Sequence, residues 1–214
     1  SKGKSLLRVN HLHQDAINTA LQDKIIKIID SVIQDIDLLV FSDFNYGSLP
    51  QVLVDKLTIL ANEHNVMVAA DSQSSSQIGD ISRFRGANLI TPTEREARIS
   101  SRNNEDGLVV LVEQLKKQSL ARNIFLKIGE EGMLIHSSDI NDKEFLTDRI
   151  YALNTSPKDV AGAGDSLLIS GALTMAGGGS IWEAAIIGSL AAAIQVGRVG
   201  NTSLKSKELL KELT

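Results

Sequence analysis

Apolar positions along the chain alternate between two spacings. Between residues 15 and 32, Ile17, Leu21, Ile25, Ile28, Ile29 and Val32 recur every three to four positions, which predicts a helix. Residues 37–41 differ: the compact run Asp-Leu-Leu-Val-Phe ends on Ser42-Asp43. Such a run predicts a buried strand that delivers polar groups at its carboxyl end. The same two patterns then trade places. Helices are expected over 49–64 (Pro50 in the first turn), 93–99, 105–118, 167–176, 181–196 and 204–213. Strands are expected over 66–70, 87–90, 124–128 and 133–136, with shorter candidates at 6–9 and 150–153. The serine-rich stretch 72–77 reads as a polar loop, too short to link domains.

Strands that alternate with helices predict an α/β fold, a mainly parallel sheet covered on both faces. Residues 1–214 are expected to form a single domain, because no boundary, repeat or low-complexity segment interrupts the pattern. Ligands of such sheets bind beyond the carboxyl ends of the strands. Here those ends carry Asp43, Asp71, Thr91, Lys127 and Gly129.

Composition narrows the function classes. The 214 residues are 43% hydrophobic with a net charge of −4, ordinary for a globular protein. Lys and Arg are scattered, so nucleic acid is not an expected partner. No apolar run reaches membrane-spanning length, no signal peptide is visible, and no membrane partner is expected. There is no cysteine, hence no disulfide framework and no thiolate metal site. The expected compartment is the cytoplasm.

The densest chemical signal is Asp159-Val160-Ala161-Gly162-Ala163-Gly164-Asp165, directly ahead of an apolar helical run. Glycines allow a sharp turn and close approach to a bulky group. The helix that follows turns free N–H groups toward that turn, an arrangement suited to phosphate. On the residues alone, a phosphate site and a structural turn weigh about equally. Asp165 reads either as a helix cap or as a base beside a phosphate under attack.

Asp159 to Ser166 resembles the C-terminal signature of ribokinase-like (PfkB) sugar kinases, Asp-Thr-Thr-Gly-Ala-Gly-Asp followed by a helix. Four more stretches resemble that family in its order. Ser42-Asp43-Phe44-Asn45-Tyr46-Gly47 is similar to the Ser-Asp-Tyr-Gly-Lys-Gly element of heptose-phosphate kinases. The run from Phe84 to Pro92 is similar to their Tyr-Arg-Gly-Ala segment leading into Thr-Pro-Asn. Gly129-Glu130-Glu131-Gly132 matches the Gly-x-x-Gly hairpin. Ala191-Ala192-Ala193, with Val196 and Gly200, resembles the Ala-rich nucleotide-site helix and the loop after it. The nearest group is the kinase half of bifunctional heptose-7-phosphate kinase/adenylyltransferases.

The resemblance implies a three-layer α/β/α fold and an ATP-dependent carbohydrate kinase with Mg²⁺. It implies that Asp165 takes the proton of a sugar hydroxyl while Gly162, Ala163 and Gly164 hold charge on the transferred phosphoryl group. Glu96 is implied to organise Mg²⁺, and Asp43 to act as the acid near the phosphates and metal. Lys127, Gly129, Gly132 and Asn201 are expected around the nucleotide. Two family positions differ: Thr93 stands for an Asn and Tyr46 for a Lys. Asp71 is followed by Ser72-Gln73-Ser74 rather than Pro-Lys-Gly, so a loop-capping role is expected for it. Lys127 reads equally as a phosphate partner or as a surface Lys. His11, His13, His64 and His136 are dispersed and expected to be solvated, and Trp182 is expected in the core.

Members of the family carry a further N-terminal region with the first strands, the lid and much of the sugar pocket. The present chain is therefore expected to be the C-terminal nucleotide-binding portion, partnered by a small sugar or sugar phosphate. Its protein partner is expected to be a second copy or the N-terminal part. The competing readings are a non-catalytic nucleotide-binding or scaffold domain, and a related kinase for another alcohol.

Overall fold

The protein is described here by a computed structural model covering residues 15–73, 79–138 and 145–213. Its elements run α1 (Thr19–Val32), β1 (Leu38–Asp43), α2 (Gln51–Glu63), β2 (Met67–Ser72), β3 (Leu89–Ile90), α3 (Glu94–Ser101), α4 (Leu108–Ser119), β4 (Asn123–Lys127), β5 (Met133–Ser138), β6 (Phe145–Ile150), α5 (Ala163–Ala176), α6 (Ile181–Val196) and α7 (Ser206–Leu213). The six strands form one sheet in chain order. β1 to β4 are parallel, while β5 and β6 fold back antiparallel. The expected α/β sheet is thus present, with an antiparallel end. The strand candidate at 6–9, and His11 and His13, lie outside the described residues.

One expected strand moves. Residues 150–153 do not form a strand of their own. The pairing partner of β5 is β6, which ends at Ile150. Gly132 explains the close approach of the next residues. It has φ +97°, and a Cβ there would lie 2.7 Å from the Ala152 nitrogen and the Tyr151 carbonyl carbon.

Each face of the sheet buries a different kind of packing. On one face, Leu39, Phe41, Val68, Ala70, Ile90, Ile124 and Leu126 meet large residues of α2 and α4 such as Leu53, Leu57, Leu111 and Leu115. On the other face, Ala69, Leu89, Phe125, Met133 and Ile135 meet α5 and α6. These two helices touch through small residues. A Cβ on Gly188 would lie 3.0 Å from the Leu167 carbonyl oxygen, and one on Gly171 would lie 3.2 Å from the Phe125 ring. The absence of side chains there lets α5 sit low on the sheet, so its N-terminus reaches the carboxyl ends of the strands. Trp182 packs partly buried against this second cluster.

Helix caps fix the remaining boundaries. Thr93 and Glu96 form a reciprocal capping box that starts α3, and Ser180 and Glu183 do the same for α6. His136 is fully buried on β5 with its Nδ1 2.9 Å from the Thr147 hydroxyl, contrary to the solvated position expected for it. The antiparallel pairing of β5 between β4 and β6 places it there. His64 is exposed at the end of α2, as expected.

Candidate active site

A cavity of about 650 Å³ opens where α5 begins, at the carboxyl edge of the parallel strands. Its walls carry Asp165, the Gly162-Ala163-Gly164 turn, Asp71, Glu96, Lys127, Gly129 and Gly132. The Ala-rich face of α6 (Ala192, Ala193, Val196) and Tyr151, Leu153 and Val160 add an apolar part. The fold therefore brings together nearly all the residues singled out from sequence.

Gly162 caps α5 with φ +78°, a left-handed conformation that disfavours any side chain, and a Cβ there would also collide with Asn201. Asn201 thus buttresses the turn from behind and is not on the cavity wall. The loop after α6 is tied to the same turn: Asp159 Oδ2 accepts the Gly200 N–H at 3.1 Å, and Gln195 Nε2 donates to the Ala161 carbonyl at 3.1 Å. The Ala161 and Gly200 N–H groups hold the Asp159 carboxyl below the ordinary range.

The turn uses some of its amides internally. Ala163 N–H donates to the Val160 carbonyl at 3.3 Å, and Ser166 N–H to the Gly162 carbonyl at 3.0 Å. Among the described residues the N–H groups of Gly162, Gly164 and Asp165 meet no acceptor, as helix geometry dictates around a first turn. They are the amides free for an anion: Gly162 and Gly164 of the expected set, with Asp165 in addition, while Ala163 is committed to Val160. Gly164 gives Lys127 its room: a Cβ there would sit 3.2 Å from Lys127 Nζ, tighter than an ordinary contact.

Lys127 is held by Asp71, with Nζ 3.1 Å from both carboxylate oxygens. Asp71 is 2% exposed, so it is a buried ion-pair partner and not the loop cap expected from sequence. Burial pushes its carboxyl above the ordinary range and nearby Glu96 adds to this, while Lys127 and the Thr91 hydroxyl oppose the shift. Glu96 is buried, and its Oε2 accepts the Thr93 N–H at 2.7 Å. Thr93 Oγ1 in turn accepts the Glu96 N–H at 3.2 Å, so its hydroxyl serves the helix start.

Asp43 departs from the expected metal role. Arg83 takes its Oδ2 at 2.7 Å and the Asn45 N–H takes its Oδ1 at 2.9 Å. It points to the α2 side of the sheet and does not line the cavity. Asn45 and Gln73 were missed by sequence reasoning. Asn45 donates through Nδ2 to the Gln73 carbonyl at 3.0 Å, and Gln73 Nε2 donates to Asp165 Oδ1 at 3.2 Å. No spacing signal links residues 28 and 92 positions apart. The one available hint was their place directly after strands on the ligand edge.

Comparison with known proteins agrees with this geometry. Residues 11–208 match the description "pfkB family carbohydrate kinase". The bifunctional protein HldE of a Nitratiruptor species is 28% identical over 212 residues, covering 98% of this chain and 43% of that protein. The HldE protein of Shewanella baltica is 27% identical, covering 100% of this chain and 42% of its own length. The chain thus spans less than half of these relatives. Phosphofructokinase-2 from Escherichia coli in complex with potassium has the same fold at a TM-score of 0.72, 16% identity, 92% of this chain and 62% of that one. Arabidopsis thaliana ribokinase complexed with ribose and ATP has it at 0.68, 16% identity, 93% and 60%. Among the described residues no helix is long and apolar enough to cross a membrane. With the family signature matched over most of the chain and the fold shared with solved kinases, this chain belongs to the pfkB family of carbohydrate kinases.

Proposed function

We propose that this chain is the nucleotide-binding and catalytic portion of an ATP-dependent kinase for a hydroxyl of a sugar or sugar phosphate, of the heptose-phosphate type. One observation carries the reading: a carboxylate, Asp165, and two unpaired helix amides open into the same 650 Å³ cavity, beside the Lys127 ammonium. Phosphoryl transfer asks for positioning and fixed positive potential more than covalent chemistry.

The steps follow from the groups present. The acceptor hydroxyl gives its proton to Asp165. Its oxygen attacks the γ-phosphorus in line, the bond to the bridging oxygen breaks, and ADP leaves with that oxygen's electron pair. The amides of Gly164 and Asp165 and the end of α5 hold the negative charge on the transferred phosphoryl oxygens. Lys127 pairs with a phosphate of the nucleotide from its place against Gly164. Gly129 and Gly132 shape the turn at the cavity edge, and the apolar wall from α6 and Tyr151 receives the base. Asn201 acts on the nucleotide through Gly162.

Mg²⁺ fits as the counter-ion that ATP brings. Glu96 and Asp71 put carboxylates on the wall, and among the described residues no group of three ligating side chains forms a closed metal site. Mg²⁺ keeps several waters and binds through few carboxylates. It supplies charge neutralisation on the phosphates, with Glu96 the side chain to hold it through water. Asp43, committed to Arg83, is not assigned to the metal.

The test is Mg-ATP-dependent phosphorylation of a panel of sugars and sugar phosphates by this chain. The Asp165→Asn variant is expected to lose turnover by about a thousandfold or more while still binding nucleotide. Unchanged turnover removes Asp165 from the role. A non-catalytic nucleotide-binding domain is the second reading, favoured by the commitment of Thr93 and Asp43 to protein partners. Nucleotide binding with no turnover on any acceptor selects it. No binding at millimolar nucleotide rejects both.

A further inference from the structure

Resting on the reading of Asp165 as the base, we infer that Gln73 is the positioning residue that decides which oxygen of Asp165 receives the proton. Only the NH₂ end of an amide can face a carboxylate, so Gln73 must donate. It does so to Oδ1 at 3.2 Å. Among the described residues no protein donor holds Oδ2. Oδ2 is thereby the oxygen left for the acceptor hydroxyl.

The donor is itself fixed. Gln73 sits directly after β2, and its N–H is anchored to the Asp43 carbonyl at 2.8 Å. Its carbonyl accepts Asn45 Nδ2 at 3.0 Å, and the same Nδ2 lies 3.1 Å from the Ser72 hydroxyl. Asn45 adopts φ +58°, a left-handed conformation that Asn tolerates, and this conformation presents its side chain across the ends of β1 and β2. The result is a relay from Asn45 through Gln73 to Asp165, crossing three segments that are distant in sequence. A neutral donor suits a base. It orients the carboxylate without the full charge that a cation would set beside it. The other charged groups on these walls are Asp71, Lys127, Glu96 and Glu130, and the variants below leave all four in place.

The decisive readout does not need turnover. In the 214-residue protein with ¹³C-labelled aspartate carboxyls, the resonance that disappears in Asp165→Asn identifies Asp165. At neutral pH its chemical shift is expected to move away from the parent in opposite directions in Gln73→Leu and in Gln73→Lys, because the bond to Oδ1 is lost in one and charged in the other. Loss of a donor and gain of a cation act oppositely on the charged form. A merely structural role would move both variants the same way or neither, and either result overturns the inference. Asn45→Gly keeps the left-handed backbone and removes both amide bonds. It is expected to broaden or shift the same resonance, and no change removes Asn45 from the relay.

Where turnover is measured, Gln73→Leu is expected to lower kcat about tenfold with KM for ATP unchanged. Gln73→Glu keeps the side-chain shape without the donor and is not expected to rescue. Should Asp165→Asn keep its turnover, the base reading fails while the resonance result still stands or falls on its own.

Discussion

Asp43 and Asp71 lie at the carboxyl ends of neighbouring parallel strands, the last residue of β1 and the last but one of β2, and their fates differ because of that one residue. β1 and β2 pair Ser42 with Asp71 and Asp43 with Ser72. Side chains alternate along a strand, so the two acids leave the sheet on opposite faces. Asp43 joins the face of Leu39 and Phe41, where Arg83 waits at 2.7 Å. Asp71 joins the face of Val40 and Ala69, under α5, where Lys127 waits at 3.1 Å. Both pairs are buried and both satisfy a carboxylate. Only the second lies on the cavity. A buried ion pair is thus not a functional sign in itself, and the face it occupies decides.

This contrast can be broken in stages. The largest loss of stability is expected from Arg83→Met. It strands Asp43 at 4% exposure and also removes the bond to the Leu49 carbonyl and the stacking over Phe84. Unfolding in urea should show a loss of about 4 kcal/mol, the range for breaking a buried pair by removing one partner. Calorimetry with Mg-ATP should find the affinity of the surviving folded protein unchanged. A loss of affinity by about tenfold there, the size of one charge-assisted contact, would erase the functional distinction between the two faces.

Lys127→Met should destabilise somewhat less, by about 3 kcal/mol at neutral pH, because among the described residues the Lys127 side chain bonds Asp71 alone, whereas Arg83 also holds the Leu49 carbonyl. Here nucleotide affinity should fall about tenfold as a charge-assisted contact is lost. The pH dependence has a definite sign. Burial already holds the Asp71 carboxyl above its ordinary range, so the folded state binds that proton more tightly than the unfolded chain does. Its stabilising contribution is complete in acid and is lost as pH rises through the folded midpoint. The deficit of Lys127→Met should therefore shrink toward acid and grow toward neutrality. A deficit that stays flat from acid to neutral pH would place the cost in packing instead.

Removing both members separates charge from shape. Asp71→Leu with Lys127→Met should regain stability to within about 1 kcal/mol of the parent, since apolar replacement of a buried pair is often neutral. Affinity for Mg-ATP should not return. If it does, Lys127 has no part in binding phosphate.

The smallest effect is expected at Asp159, whose carboxylate is held by backbone N–H groups on an exposed loop. Its carboxyl lies below the ordinary range, so its contribution is present above the unfolded midpoint and lost as pH falls through the folded one. Thermal melts of Asp159→Asn should differ slightly from the parent at neutral pH and coincide with it in strong acid.

Much of this was legible in the residue order. The helix over 181–196 and the strands around β1, β2 and β4 stand where the apolar spacing puts them, because long periodic runs carry their own signal. The Gly162–Asp165 turn, Glu96, Lys127, Gly129 and Gly132 do meet at one cavity. β6 was misplaced because Phe-Leu-Thr-Asp-Arg-Ile reads weakly as a strand until β5 pairs with it. His136 was misjudged for the same reason: a single polar residue in an apolar strand does not announce its burial.

The sequence by itself determined the α/β order, the glycine turn that only a residue without a side chain can make, and the acid that follows it. Those are local properties, set by periodicity and backbone sterics over a few residues. Only the tertiary structure decided which of Asp43 and Asp71 reaches the cavity, which amides of the turn remain unpaired, and that Gln73 holds Asp165. The run Leu-Leu-Val-Phe is apolar on both faces, so no alternation in it tells one side from the other. The choice is made by strand register and by helices that arrive from far along the chain.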